Sequence, residues 1–249
     1  MKKILSATAA VALLLGGAAH VNASDFTANI SASNNYLWRG LTQSDNGPAV
    51  SGGIDYGHDS GFYVGTWVSN VNYGAGDPFS YEHDMYAGYS GEYNEVTYDF
   101  GYLYYNYDEQ ANFDFSEVYG SLGYRGFSVT AYVLAHAETE ENSGVGQDGG
   151  NYDFGFGSAF YISGDYAFEI REGLELGLHV GYHDGDFVDA FNFADGTFNY
   201  VDYNISLAKG GFGFMVSHTD IGDNATQNGG GLNNDSVKFV VSYTVDFEL

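Results

Sequence analysis

The chain of 249 residues carries 33 acidic and 7 basic side chains, no cysteine and two prolines. Its formal charge of −26 excludes nucleic acid as a partner, because binding it requires a basic surface that displaces counterions from phosphates. The aromatic share of 18% fits either an acidic soluble protein or a membrane barrel with aromatic girdles.

The first 23 residues are organised like a secretory signal peptide. Lys2 and Lys3 precede an apolar run at residues 4–15, and small residues lead to Ala23, after which we predict cleavage. The apolar run is too short for a membrane-spanning helix. The expected mature chain, residues 24–249, has a size that suits one domain.

Twelve runs of alternating apolar and polar residues follow, and the pattern predicts a β-strand for each. They lie near residues 25–38, 48–58, 61–71, 80–90, 93–105, 115–124, 127–137, 157–170, 173–183, 198–208, 211–219 and 235–248. Most have about 9 to 11 residues, the length with which a tilted strand crosses a bilayer.

The connections between these runs alternate between short and long. The short ones are predicted at Asp59-Ser60, Gly91-Glu92, Arg125-Gly126, Arg171-Glu172 and Lys209-Gly210. Longer acidic connections span residues 138–156, 184–197 and 220–234. Short periplasmic turns at one rim and long extracellular loops at the other are typical of an outer-membrane barrel.

The last run continues to the carboxyl terminus, so its strand must pair with another one. Pairing with the first strand would close the sheet and leave no unpaired edge, as a membrane requires. The predicted fold is therefore all-β: a transmembrane antiparallel up-and-down barrel of about twelve strands at residues 24–249.

The alternation also assigns side chains to the lipid or to the lumen. Leu174, Leu176 and Leu178 share the predicted lipid-facing side of one strand, and Phe127 and Val129 that of another. The predicted inward acidic set contains Asp55, Glu82, Asp84, Asp99, Glu117, Asp165, Glu169, Glu175, Asp202 and Asp246. The predicted inward basic residues are chiefly Arg39 and Lys238, and His179 and His183 complete the predicted pore lining.

No catalytic, cofactor or metal site is expected. His179 and His183 are four residues apart, about 13 Å along a strand, which is too far to share one ion. Ser217 and His218 are adjacent, so they point to opposite faces of their strand and cannot act as nucleophile and base. Because histidine titrates near neutrality, His179 and His183 carry a hypothesis of pH-dependent gating.

One stretch is more distinctive, at residues 36–50. Alternation carried up from Phe26 predicts that Trp38 points outward to the membrane interface and that Arg39 points inward. Arg39 is then either a fixed positive charge near the outer mouth or the partner of a neighbouring strand's carboxylate.

This stretch resembles the TorF family of outer-membrane porins. The resembling residues are the aromatic-Arg-Gly at residues 38–40, the Thr-Gln-Ser at residues 42–44, and the run from Gly61 through Gly65-Thr66-Trp67 to Ser69-Asn70. The resemblance is dense from residue 30 to about residue 75 and follows the layout alone beyond that. It implies an outer-membrane barrel with a porin-like role and supplies no catalytic residues.

We therefore expect a porin in a Gram-negative outer membrane that passes small hydrophilic solutes and prefers cations or zwitterions. A lumen lined by one sign of charge concentrates ions of the other sign. The expected partners are outer-membrane lipids, lipopolysaccharide and the solutes. A homo-oligomer is one possibility that the sequence does not decide, because no part of it specifies a subunit interface.

Three alternatives remain at this stage. The first is a non-conducting, plugged barrel whose acidic loops bind a surface partner. The second is an outer-membrane hydrolase with a site at the barrel edge, and the third is a soluble periplasmic β-protein.

Overall fold

The structure, a computed structural model, describes residues 25–139, 152–191, 199–221 and 232–249. Within these ranges, twelve strands close into a barrel. In chain order they are β1 (Asp25–Ser33), β4 (Ala49–Gly57), β5 (Phe62–Asn70), β6 (Tyr81–Tyr93), β7 (Val96–Tyr107), β8 (Phe115–Tyr124), β9 (Phe127–Ala137), β10 (Ala159–Arg171), β11 (Leu174–Gly185), β12 (Asn199–Lys209), β13 (Phe212–Thr219) and β14 (Lys238–Glu248). Two short strands outside the barrel sheet, β2 (Leu37–Trp38) and β3 (Leu41–Thr42), lie in the connection between β1 and β4. The predicted all-β, twelve-strand antiparallel barrel is confirmed, and the predicted signal peptide at residues 1–23 lies outside the described residues.

The first and last barrel strands pair with each other, as their alternation predicts. The antiparallel register of β1 and β14 runs from Thr27 opposite Glu248 to Ser33 opposite Ser242. Each of the other barrel strands pairs antiparallel with the barrel strand that precedes it and with the one that follows it in the chain. The sheet therefore has no free edge among these strands, so their backbone N–H and C=O groups form hydrogen bonds with neighbouring strands and do not need water.

Two-residue turns join several strands at one rim. Asn94 and Glu95 have φ of 52° and 66°, and Arg125 has φ of 50° before Gly126 at 85°. Positive φ at both central residues is the type I′ geometry, whose twist matches that of the flanking strands. The turn predicted at Gly91-Glu92 is wrong, because β6 continues to Tyr93 and the chain turns at Asn94-Glu95.

The outer surface of the barrel is a continuous apolar band. On β14, Phe239, Val241 and Val245 are exposed while Val240 and Ser242 between them are buried. The predicted lipid-facing residues Phe127, Val129 and Leu178 are exposed in the same way. On β5, whose faces are both apolar in sequence, Phe62, Val64 and Val68 point outward. An exposed belt of this kind matches the lipid-facing surface of a membrane barrel.

The long-loop half of the barrel contains an apolar core. Residues Asp186–Phe191 form a short helix, α1, and a 3-10 helix occupies Glu109–Ala111. Phe187 and Val188 of α1 are buried against Phe115, Leu134 and other residues of the upper strands. No helix in the described part of the chain is long and apolar enough to cross a membrane.

An aromatic group covers this core at the long-loop rim. We call Tyr73, Phe79, Phe113, Phe154 and Phe187 the aromatic cap. Successive ring centroids lie 4.9 Å apart between Tyr73 and Phe79, 5.5 Å between Phe79 and Phe113, 5.6 Å between Phe113 and Phe187 and 6.1 Å between Phe187 and Phe154. The cap joins side chains from four different connections between strands.

Candidate functional site

The connection between β1 and β4 folds into the lumen. We call residues 34–48 the inner hairpin. Its two short strands, β2 (Leu37–Trp38) and β3 (Leu41–Thr42), pair antiparallel around Arg39 and Gly40. Both turn residues have positive φ, 49° and 80°, so this is also a type I′ turn. A side chain at position 40 would collide with Asp202 and Thr219, which explains why the tip requires glycine.

The base of the inner hairpin is fixed by polar contacts. The Thr42 hydroxyl donates to Asn35 Oδ1 at 2.6 Å, and the Thr42 amide donates to Asn234 Oδ1 at 3.0 Å. Lys238 Nζ donates to Asn46 Oδ1 at 2.6 Å and to the Leu232 carbonyl at 2.9 Å. The predicted inward base Lys238 thus anchors the hairpin and the last loop rather than pairing with a lumen carboxylate.

Arg39, at the tip of the inner hairpin, reaches the far wall of the lumen. Its Nη2 donates to Glu117 Oε2 at 2.6 Å, and its Nη1 donates to His183 Nε2 at 3.0 Å. The guanidinium also lies over the rings of Trp38 at 4.2 Å and Tyr161 at 4.4 Å. Burial alone would lower the pKa of Arg39, but the charge of Glu117 raises it above its ordinary value.

The prediction that Trp38 faces lipid is wrong. Its ring packs inside the barrel against His183 at 5.5 Å and against Tyr105 at 6.1 Å. The alternation that placed it outside holds only as far as Ser33, where β1 ends. Of the two readings of Arg39, the structure has the ion pair with a strand carboxylate, Glu117 on β8.

Five of the ten predicted inward carboxylates accept hydrogen bonds from tyrosines. Tyr86 donates to Asp55 at 2.5 Å, Tyr36 and Tyr107 donate to Glu82 at 2.6 and 2.8 Å, Tyr63 donates to Asp99 at 2.6 Å, and Tyr105 donates to Glu117 at 3.0 Å. Tyr63 also forms a short contact with Tyr119. Phenol donors stabilise buried carboxylates without neutralising their charge.

The predicted residues His179, Asp165 and Asp202 form one cluster. His179 Nδ1 lies 2.7 Å from Asp165, and its Nε2 lies 2.8 Å from Asp202. The Tyr161 hydroxyl donates to Asp202 at 3.0 Å. Because both ring nitrogens face carboxylate oxygens, the geometry favours a doubly protonated ring. His179 and His183 are not placed to bind one metal ion together. The hypothesis that they gate the lumen with pH stays a prediction.

Four predicted residues have other surroundings. Asp84 and Glu175 are buried, and each has one carboxylate oxygen without a hydrogen-bond partner among the described residues. Glu169 is exposed at the short-turn rim, where it accepts a hydrogen bond from the Gly173 amide at 2.8 Å. Asp246 is exposed near the end of β14.

A cavity of about 990 Å³ occupies the short-turn half of the lumen. It extends from Glu92 and Arg125 at the short-turn rim to Trp38 and Arg39 of the inner hairpin. Its wall carries a series of hydroxyls at Ser31, Ser51, Ser69, Ser121, Ser128, Thr130, Ser163 and Ser242, together with Asp84, Asp99, Asp165 and Glu175. Above it, the inner hairpin and the apolar core fill the long-loop half.

The tyrosine donors and the aromatic cap were not anticipated from the sequence. The tyrosines share the inward face with the carboxylates they bind, so the alternation does contain a signal for them. Among the described residues, no three histidines, aspartates or glutamates are placed to hold a metal ion. Residues 140–151, 192–198 and 222–231 of the predicted acidic loops lie outside the described residues.

Comparison with known sequences identifies the family of this chain. Residues 18–247 match the Gcw_chp family, described as bacterial proteins of unknown function. The chain belongs to the Gcw_chp family. A comparison with curated proteins found no match.

Solved structures of porins and channels share the fold of this Gcw_chp chain. The NanC porin aligns over 89% of this chain and all of its own, with 10% identity and a TM-score of 0.58. The KdgM porin aligns over 90% of this chain and 99% of its own, with 10% identity and a TM-score of 0.51. An outer-membrane channel from Pseudomonas putida aligns over 92% and 97%, with 9% identity and a TM-score of 0.52. The likeness is one of fold.

Proposed function

We propose that the protein is an outer-membrane channel that admits small hydrophilic solutes and prefers cations or zwitterions to anions. The observation that supports this most directly is the cavity of about 990 Å³, lined by hydroxyls and carboxylates. Hydroxyls replace the hydration of a polar solute, while carboxylates in a narrow lumen repel anions. In this proposal the pore-lining set is the one predicted from the alternation, with Lys238 and Glu169 in structural roles.

The surrounding assignments belong to the same proposal. Residues 1–23 are removed as a signal peptide, and residues 24–249 form the barrel in a Gram-negative outer membrane. The short turns face the periplasm, and the apolar belt contacts lipids and lipopolysaccharide. The protein acts without catalysis. The narrower assignment to the TorF family, which rests on residues 30 to about 75, and a homo-oligomeric state both stay predictions.

Passage of a solute requires the inner hairpin to move. The hairpin and the apolar core fill the long-loop half of the lumen, and the Arg39–Glu117 ion pair holds the hairpin tip to the far wall. The channel proposed here is therefore closed in the described conformation and opens when that ion pair breaks.

The filled long-loop half also favours a second candidate, a non-conducting barrel whose acidic loops bind a surface partner. Planar-bilayer recordings of the refolded mature protein under a salt gradient separate the two. Discrete conductance steps that reverse on the cation-selective side support the channel. Silence from protein that circular dichroism and gel mobility prove folded supports the plugged barrel.

A further inference from the structure

Arg39 illustrates how this lumen binds a cation. The guanidinium receives one carboxylate, Glu117, and the faces of Trp38 and Tyr161. A buried cation is stabilised by the combination of a charged acceptor and aromatic rings, since each supplies negative potential after water has been removed.

Asp84 has neighbours of the same kind without a protein cation. On β6 it is the direct register partner of Trp67 on β5 and of Tyr105 on β7. Directly opposed side chains have Cβ atoms about 4.5 to 5.5 Å apart, so Asp84 lies between these two aromatic residues on the wall. The ring of Tyr36, from the inner hairpin, lies 5.4 Å from that of Trp67.

The carboxylate of Asp84 is unsatisfied within the described part of the chain. The residue is 6% exposed, and its Oδ1 is buried with no hydrogen-bond partner there. No lysine, arginine or histidine of the described residues forms an ion pair with it, whereas Glu117 is paired with Arg39. A buried carboxylate oxygen without a donor costs free energy, which a bound cation with N–H or N–CH₃ groups offsets.

Asp84 can be reached from the short-turn rim, because it lines the same cavity as Glu92 and Arg125. The absence of a three-ligand cluster among the described residues argues against a metal ion, which needs several oxygen or nitrogen ligands. An organic ammonium ion needs one carboxylate and aromatic side chains beside it, and this wall has Asp84 between Trp67 and Tyr105.

We infer that Asp84, with Trp67 and Tyr105, is a binding site for the ammonium group of a small organic cation. The inference deepens the proposed function, on which it rests, because it names the class of solute. Binding and conduction are nevertheless measured separately. Binding without conduction overturns the channel alone, and conduction without binding overturns this site alone.

The two tryptophans of the chain, Trp38 and Trp67, both line the cavity and serve as reporters. Detergent-folded protein is titrated with choline chloride at constant ionic strength, and tryptophan fluorescence is followed. The neutral analogue 3,3-dimethyl-1-butanol, in which carbon replaces the quaternary nitrogen, is titrated in parallel. The inference predicts a saturable change with choline and at least about a tenfold weaker response to the analogue.

Variants locate the site. Asp84→Asn is expected to weaken choline binding at least about tenfold. Trp67→Leu, read through Trp38, is expected to weaken it about three- to tenfold. Glu92→Gln removes a charge from the exposed end of the same cavity and is expected to change binding by less than about twofold. Equal binding of the neutral analogue, no saturable response in folded wild-type protein, or unchanged binding in Asp84→Asn would each overturn the inference.

Discussion

The guanidinium of Arg39 donates a 2.6 Å hydrogen bond to the carboxylate of Glu117, and both side chains are buried. This pair joins the tip of the inner hairpin, which connects β1 to β4, to β8 across the lumen. A turn residue of one loop and a strand residue 78 positions away therefore tie the inner hairpin to the opposite wall of the lumen.

The cluster around His179 should carry a large share of the barrel's stability. His179→Gln removes the group that separates Asp165 from Asp202, and it leaves the buried Asp202 without its closest donor. We expect a loss of about 3 kcal/mol in the free energy of unfolding, measured by urea denaturation in lipid vesicles. His218→Gln, on the outer face beside Tyr203, is the control and should cost less than about 0.5 kcal/mol. Equal effects of both substitutions would contradict this role of His179.

Packing of α1 should weaken as the pH rises through neutrality. Burial, followed by the charges of Asp186 and Asp184, raises the pKa of Asp189 to about 7. A carboxyl that holds its proton more tightly in the folded state contributes stability below its unfolded pKa of about 3.9, and that stability is lost as the pH passes the folded value.

Hydrogen exchange tests this dependence on Asp189. After correction for intrinsic rates, amides of residues 187–190 should exchange faster at pH 8 than at pH 6. Asp189→Asn, which is neutral at both values, should abolish the difference. A pH dependence that persists in the variant would assign the effect to another group.

The cation preference of the proposed channel should depend on carboxylates that line the cavity. Asp99→Asn combined with Glu175→Gln removes two carboxylates from its wall, and we expect the cation preference measured by reversal potential to fall by about twofold or more. The matched control, Glu109→Gln with Glu172→Gln, removes two exposed charges at the rims. A preference unchanged by the cavity pair would show that other groups set it.

Closure of the barrel should depend on the backbone of β14. The Thr244 amide donates to Gly211, so the next amide, that of Val245, is directed to β1, where its register partner is Ile30. Val245→Pro removes this donor and should cost about 3 kcal/mol. Loss of the heat-sensitive mobility of the folded barrel on gels measures the effect. Val245→Thr keeps the amide and should migrate like the wild type.

The strands and their faces could be predicted because each depends on a local period of two. The predicted and observed bounds of β8 and β9 are identical, and the alternation of the last strand predicted its pairing with β1. The orientation of Trp38 failed because alternation was extended past Ser33, where the chain leaves the sheet. The dipeptide Arg39-Gly40, which forms a type I′ turn, was the sequence signal that the chain does not continue as one strand through Trp38.

The contacts inside the lumen could not be predicted in the same way. Arg39, Glu117 and His183 belong to three separate segments, and their contact depends on how far the inner hairpin folds inward. Alternation assigned Glu82 to the lumen, but its hydrogen bond with Tyr107 depends on the register of β6 against β7. The aromatic cap combines side chains from connections that have no period.

If the Arg39–Glu117 pair keeps the proposed channel closed, single-channel recording of Arg39→Gln should show a more open channel. Arg125→Gln is the matched control, because Arg125 forms an exposed ion pair with Glu95 at the short-turn rim. We expect that Arg39→Gln, shown to be folded, opens about tenfold more often than the wild type, while Arg125→Gln does not. Equal open probabilities in folded Arg39→Gln and wild-type protein would contradict it.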